Sequence, residues 1–213
     1  MNPTRKSTQI ALFYQTIYNG AIEGISTSLR NRFGIEVQIT EYPIPREAPP
    51  VIPRMEATLG NILLRLSYDR ADMICTDQNE PTAAQILNFI QTILDLGVTV
   101  GRIGYVCTKN IEGADQVFVN RNLRLSNETA TEITRLTEAQ WRVNRVFEIL
   151  GAGGNCNNIS NIILEKINGQ QNVILERDIN TTLDRNLNLR DLEQIQNVVS
   201  SLRTESDSTF GIL

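Results

Sequence analysis

Histidine is absent from this chain of 213 residues. Its absence excludes Ser-His-Asp and Cys-His nucleophilic sites, histidine general bases and every histidine-ligated metal site. An enzyme built from this sequence would depend on carboxylates, lysine, tyrosine or backbone donors. The sequence therefore favours a non-enzymatic protein, and it assigns no catalytic, cofactor-binding or metal-binding residue.

Long apolar runs are also missing. No stretch reaches the roughly 18 apolar residues expected of a membrane-spanning helix, and no apolar segment near the start leads to a cleavage site. Cysteine occurs at Cys75, Cys107 and Cys156 only, with no CxxC pair. An odd number of widely spaced cysteines is typical of buried free thiols in a reducing compartment. We expect a cytoplasmic protein with no membrane partner.

The charge balance shows no basic surplus. The chain has 20 Lys and Arg against 24 Asp and Glu, a formal charge of −4, so the electrostatic signature of a nucleic-acid-binding protein is missing. Its 41% hydrophobic and 21% charged residues are ordinary for a globular protein. We expect one compact unit over residues 1–213, with pseudo-duplicated lobes of approximately 1–110 and 111–213.

Three amphipathic segments predict helices near residues 20–33, 83–96 and 189–203. The second has the clearest signals, because Thr82-Ala-Ala-Gln85 forms a capping box and Gly97 stands where a helix terminator is expected. Asn19 and Asn188 are the predicted N-caps of the other two helices.

Short apolar or alternating runs predict strands. We expect them at residues 8–14, 35–40, 100–107, 116–119 and 140–150, with two more within 61–77. Five of the seven prolines lie between Pro43 and Pro53, which predicts an extended connector that neither a helix nor a central strand can cross. Residues 112–139 otherwise give no clear pattern.

The stretch GAGGNC, Gly151 to Cys156, has two interpretations. It follows an apolar run and stands about twenty residues before Glu176, as in a dinucleotide-binding loop. However, Asn168-Gly169 lies between apolar runs and predicts a hairpin, so the residues after Cys156 are expected to be a strand. We interpret the stretch as a connector between strands, and GAGGNCNN as an asparagine-rich hinge between the two lobes.

A short internal similarity supports the connector. Asn61-Ile-Leu-Leu-Arg65 is similar to Asn161-Ile-Ile-Leu-Glu165, and Met73-Ile-Cys75 to Val173-Ile-Leu175, without a gap. Each copy is followed by a polar stretch and an amphipathic helix. A strand, strand, helix unit used twice accounts for both copies.

Two further groups suggest alternative functions. Carboxylates gather near the ends of the expected paired strands: Asp69, Asp72, Asp77, Glu165, Glu176 and Asp178. Glu165-Lys166 and the Glu176/Asp178 pair on adjacent strands suggest the acid-and-lysine geometry of hairpin-based metal-dependent nucleases. Trp141, with Arg135, Arg142 and Arg145 nearby, suggests stacking on single-stranded nucleic acid. The alternative function is therefore a nuclease-like or nucleotide-binding protein that uses these acids or the Gly151 to Gly154 loop. Solvated acids on a sheet and a tryptophan in a core or subunit interface are the simpler interpretations.

The segment VGRIGYVCTKNI, the late strand ending in LERDIN and the closing amphipathic helix resemble a sporadically distributed family of uncharacterised bacterial proteins. The resemblance implies a two-lobed α+β fold in a bacterial or phage cytoplasm and assigns no residue roles.

Together these patterns predict an α+β fold with a mostly antiparallel sheet, a repeated strand-strand-helix unit and helices on one face. The predicted function is protein binding or assembly without catalysis. Because exposed strand edges are often closed by self-association, we expect a homodimer, with a protein partner as the other option.

Overall fold

The structure, a computed structural model, describes residues 4–21, 23–76, 78, 80–113, 138–149, 152, 154–167, 169–182 and 188–209. These residues form an α+β fold that is mostly sheet. The elements follow in chain order: β1 (Thr4–Tyr14), α1 (Glu23–Phe33), β2 (Gln38–Glu41), β3 (Met55–Leu59), β4 (Ile62–Leu66), β5 (Arg70–Cys75), α2 (Ala83–Leu94), β6 (Val100–Ile111), β7 (Glu138–Ile149), β8 (Gly154–Ile167), β9 (Gln170–Thr181) and α3 (Leu192–Thr209).

All described strands belong to one nine-stranded sheet in the order β2-β3-β4-β5-β1-β6-β9-β8-β7. Every pairing in it is antiparallel, which confirms the predicted mostly antiparallel sheet. β1 lies at the centre, where Leu12 stands opposite Ala71 of β5 on one side and Ile103 of β6 on the other. Strands from both predicted lobes therefore share one continuous sheet.

Alternation along β1 explains how the core forms. Ile10 and Leu12 are fully buried and join a hydrophobic cluster that includes Ile25 of α1, Phe89 of α2 and Ile195 of α3. α2 contacts both α1 and α3, and α3 also contacts β6, β7 and β9. None of the helices in the described part of the chain is long and apolar enough to cross a membrane.

α2 begins and ends where the sequence predicted. The Thr82 hydroxyl accepts from the Gln85 backbone N–H (3.3 Å), the Gln85 side chain accepts from the Thr82 backbone N–H (2.8 Å), and Gly97 adopts a φ of 73° just after the helix. The predicted cap of α3 is wrong. Asp191, rather than Asn188, accepts from a first-turn N–H, that of Gln194 (3.1 Å), because α3 begins only at Leu192.

The proline connector contains no helix or strand, as predicted. Arg54 holds it in place by donating to the carbonyls of Pro45 (2.9 Å), Ala48 (2.9 Å) and Pro49 (3.4 Å). Arg54 is 1% exposed, and its guanidinium lies 4.8 Å from the ring centroid of Tyr68. Backbone N–H groups of Ala48 and Ile52 also donate to the Pro45 and Pro49 carbonyls (both 3.1 Å), so the connector is held by turn hydrogen bonds together with one buried cation.

Two strand predictions need correction. β2 covers only Gln38–Glu41, and Ile35, expected on the buried side of a strand, lies in a turn with 92% of its surface exposed. β3 was not predicted; it pairs with β2 and β4 and buries Met55 and Ala57. The strand predicted at 116–119 lies outside the described residues.

Candidate interaction surface

β7 is the last strand at one edge of the sheet. It pairs with β8 from Glu138 opposite Glu165 to Ile149 opposite Gly154. Among the residues that the structure describes, no strand pairs with its other side. Because alternate residues of an antiparallel strand direct their backbone N–H and C=O groups to opposite sides, β7 has a row of backbone groups without a sheet partner. Such an edge is a template for another strand.

The side chains of β7 alternate between two faces. Residues 142–146 are all exposed, and Val143 and Val146 expose 40% and 60% of their surfaces. The odd-numbered residues face the core: Trp141, Val143, Arg145, Phe147 and Ile149. Of these, Phe147 and Ile149 pack in or against the hydrophobic cluster. The middle of the edge therefore combines branched apolar side chains with arginines.

A buried arginine lies on the neighbouring strands. Arg177 of β9 is 5% exposed and donates to Asn158 Oδ1 (3.3 Å) and to the Ser160 hydroxyl, both in β8. Burial lowers the pKa of Arg177, the positive charge of Arg145 lowers it further, and Glu205 of α3 opposes both effects. The core-facing side of the edge is thus cationic, and its counter-charge comes from α3.

The described surface includes two clefts whose linings are about half polar or more. One, of about 580 Å³, separates the end of β7 from α3 and is lined by Glu148, Glu205 and hydroxyl-bearing residues of α3. The other, of about 520 Å³, lies beside the proline connector and includes Arg54, whose terminal nitrogens already bind the connector carbonyls. Neither has the mostly apolar lining that is typical of small-molecule pockets.

The carboxylates near the first predicted strand pair are bound separately. Asp72 is 1% exposed and accepts from Gln9 Nε2 (2.9 Å) and Arg70 Nε (2.8 Å). Asp69 accepts from the Ser67 hydroxyl (2.7 Å). Each acid is therefore occupied by its own local partner.

The acids of the second pair are likewise distributed along β8 and β9. Glu176 accepts from Asn161 Nδ2 (2.6 Å), Asp178 accepts from Asn180 Nδ2 (3.0 Å), and Glu165 lies at the far end of β8. Asp77 lies outside the described residues. Within the described ranges, no group of three or more Cys, Asp or Glu residues could hold a metal ion.

Of the stretch Gly151 to Cys156, the structure describes Ala152, which lies in a turn, and Gly154 to Cys156, which belong to β8. Ala152 N–H donates to the Ile149 carbonyl (3.0 Å), and β8 begins at Gly154. A strand rather than a helix follows, as predicted, so no helix N-terminus is available there for a phosphate. The asparagine part of the hinge interpretation is wrong, because Asn155, Asn157 and Asn158 belong to β8 and are held by sheet pairing. Gly151 and Gly153 lie outside the described residues.

The described members of the stacking group around Trp141 do not all share one face of β7. Trp141 is partly buried and stands opposite Ile162 of β8. Arg145 shares its face, but Arg142 projects from the other face because the side-chain period of a strand is two. Arg135 lies outside the described residues.

The three cysteines are buried and form no disulfide, as expected. Burial raises the pKa of Cys107 and raises the pKa of Cys156 to about 11. Because the thiolate is the reactive form, Cys107 and Cys156 are poor nucleophiles in the folded protein.

Sequence reasoning missed a polar cluster near the sheet centre. The Phe13 ring has the guanidinium of Arg102 4.8 Å from its centroid and that of Arg70 at 5.4 Å. Arg102 also donates to Asn180 Oδ1 (2.8 Å). The available signal in the sequence is Gly104, which stands directly opposite Ala11 and whose added Cβ would lie 3.8 Å from a Phe13 ring carbon.

Comparison with known proteins finds no matching family model and no matching curated protein.

Proposed function

We propose that this chain is a non-enzymatic assembly protein that associates with a second copy of itself through the edge of β7. The observation that carries the proposal is a strand of twelve residues, Glu138–Ile149, hydrogen-bonded on one side within the described part of the sheet. Natural edge strands are usually short, bulged or covered, because an open edge recruits other chains. β7 is regular in its pairing with β8 and twice the typical strand length of about six residues.

The exposed valines add to the argument. Val143 and Val146 lie on opposite faces of the same open strand, so a strand added to β7 would cover apolar surface on both sides of the sheet. The β2 edge, at the other end of the sheet, has four residues and offers far less backbone. The β7 edge is therefore the better docking surface.

The proposal also includes a strand-strand-helix unit that was duplicated within the chain, with the helices packed on one face of the sheet. Its support is a shared register: Ile62 stands opposite Cys75 and Ile162 opposite Leu175, and both members of the second pair are 100 residues after those of the first. Each hairpin is followed by a helix, α2 or α3, and these helices contact each other. Its bacterial or phage cytoplasmic setting stays a prediction that rests on the resemblance.

The test is the mass of the untagged protein in native solution over a range of concentrations. We expect a dimer for the wild type and a shift towards monomer for Val146→Lys, because an edge lysine opposes strand addition. Ile35→Lys is the matched control, since Ile35 is an exposed apolar residue near β2. It should leave the dimer unchanged.

Two results would contradict the proposal. A wild-type protein that stays monomeric at high concentration would remove self-association altogether. A Val146→Lys protein that is folded by circular dichroism and as dimeric as the wild type would remove the β7 edge as the interface.

A further inference from the structure

We infer that two copies pair β7 with β7 in an antiparallel ladder whose twofold axis passes beside Asn144. The inference rests on the proposed self-association and specifies the arrangement of the two strands. It would join the two nine-stranded sheets into one continuous sheet with the aromatic side chains of one copy opposite those of the other.

Symmetry limits the registers that need to be considered. A homodimer with a closed interface has a twofold axis, so both copies use the same edge. When that axis is perpendicular to the sheet, the two edge strands run antiparallel. Directly opposed residues project from the same face, so one residue must stand opposite its own copy at the centre. In β7 the candidates for that central position are the exposed residues 142–146.

Charge excludes three of these centres. A centre at Arg142 or at Arg145 places an arginine directly opposite its own copy. A centre at Val143 places Glu138 opposite Glu148. Like charges in directly opposed positions destabilise a strand pair.

Length separates the remaining two centres. A centre at Val146 pairs only residues 143–149, because β7 ends at Ile149. A centre at Asn144 pairs residues 139–149, almost the whole strand, and satisfies more of the unpartnered backbone.

The Asn144 register also matches the side chains. On the core-facing side, Trp141 stands opposite Phe147 of the second copy, and the symmetry repeats the pair. Aromatic pairs of this kind are among the favourable cross-strand contacts. Val143 then stands opposite Arg145, and the two Arg145 side chains become diagonal neighbours rather than direct ones.

On the other face the charges become complementary. Gln140 stands opposite Glu148 of the second copy, and Arg142 becomes its diagonal neighbour, within reach of a long side chain. Asn144 faces its own copy, where each amide can donate and accept. The edge arginines, which would discourage an unspecific strand, thus fit this register.

Single cysteine substitutions test the register directly. Each of Val143, Asn144, Arg145 and Val146 is replaced by cysteine in turn, the folded protein is mildly oxidised, and cross-linked dimer is measured on a denaturing gel without reductant. The native cysteines are buried, so the unmodified chain is the background control.

We expect strong cross-linking only for Asn144→Cys. Directly opposed Cα atoms lie about 4.5–5.5 Å apart, within the range of a disulfide. A residue one position from the centre is displaced from its copy by two residues along the ladder. The two Cα atoms are then about 8 Å apart, which exceeds the range of a disulfide. Val146→Cys lies further still.

The other outcomes are distinguishable. Strongest cross-linking at another of the four positions overturns the Asn144 register. A native mass that shows a dimer with no cross-link at any position overturns β7 pairing while self-association stands. A monomeric wild type overturns both the proposed function and this inference.

Discussion

Gly104 stands directly opposite Ala11 in the central β1–β6 pair, and a Cβ added to Gly104 would lie 3.7 Å from the Ala11 Cβ. The other nearest atoms, Asn180 Cβ and a Phe13 ring carbon, would be 3.7 and 3.8 Å away. These distances are ordinary van der Waals contacts, so the sheet centre has room for a methyl group.

Gly104→Ala should therefore stabilise the fold. We expect the free energy of unfolding to rise by about 0.4–1 kcal/mol, because alanine restricts the unfolded chain without strain in the folded one. Gly169→Ala is the matched control and should lower it by about 1 kcal/mol, because Gly169 has a φ of 82° in the β8–β9 turn. Urea denaturation checks both, and a destabilised Gly104→Ala protein would show that the centre is closed to a methyl group.

Local signals predicted much of this fold. The capping box before α2, the Asn168-Gly169 hairpin and the proline connector each follow from a few neighbouring residues, and each is found where it was expected. β3 was missed because Met55–Leu59 forms a strand through its pairing with β2 and β4, which no local pattern reveals.

The candidate surface was harder to predict than the strand that forms it. The alternation from Trp141 to Ile149 correctly indicated a strand, but its place at the sheet edge depends on the order in which distant strands pair. That order is non-local, so sequence reasoning could predict an open edge in general and not which strand supplies it.

Arg54 should contribute more to stability than an exposed arginine of the same loop. Arg54→Met removes a charged donor from three connector carbonyls, of which those of Pro45 and Pro49 keep a backbone N–H donor, and we expect a loss of about 2 kcal/mol in the free energy of unfolding. Arg46→Met is the control, because Arg46 is exposed and donates only to the Asn19 carbonyl (3.0 Å) among the contacts described. That change should stay within about 0.5 kcal/mol. Equal losses in urea denaturation would mean that burial of Arg54 does not matter.

The Tyr14 hydroxyl should be destabilising. It is buried and has no hydrogen-bond partner within the described residues, and burial, followed by Asp72, raises its pKa. Tyr14→Phe should therefore raise the free energy of unfolding by about 1 kcal/mol, since it removes an unsatisfied polar group. Tyr42→Phe should instead lower the free energy of unfolding, because the Tyr42 hydroxyl donates to Glu56 (2.7 Å) and lowers the pKa of that carboxyl. Thermal unfolding of the two variants would contradict this account if both moved in the same direction.

Cys156 should make the fold less stable in alkaline solution. Burial raises the pKa of this thiol from 9.0 to about 11, so between these values the unfolded chain releases a proton that the folded chain retains. Because the unfolded state then binds fewer protons, the free energy of unfolding falls as the pH rises through this window, and the full contribution is present below pH 9. The slope from one such group is at most about 1.4 kcal/mol per pH unit.

The measurement compares urea denaturation of the wild type and Cys156→Ala at several pH values across that window. The alanine variant should be less stable near neutral pH, because it leaves a small cavity, and its stability should fall less steeply as the pH rises. The difference in slope is the readout, since buried tyrosines with raised pKa values affect both proteins equally. Parallel curves would mean that the Cys156 thiol ionises in the folded chain as it does in the unfolded one, and that its burial carries no electrostatic cost.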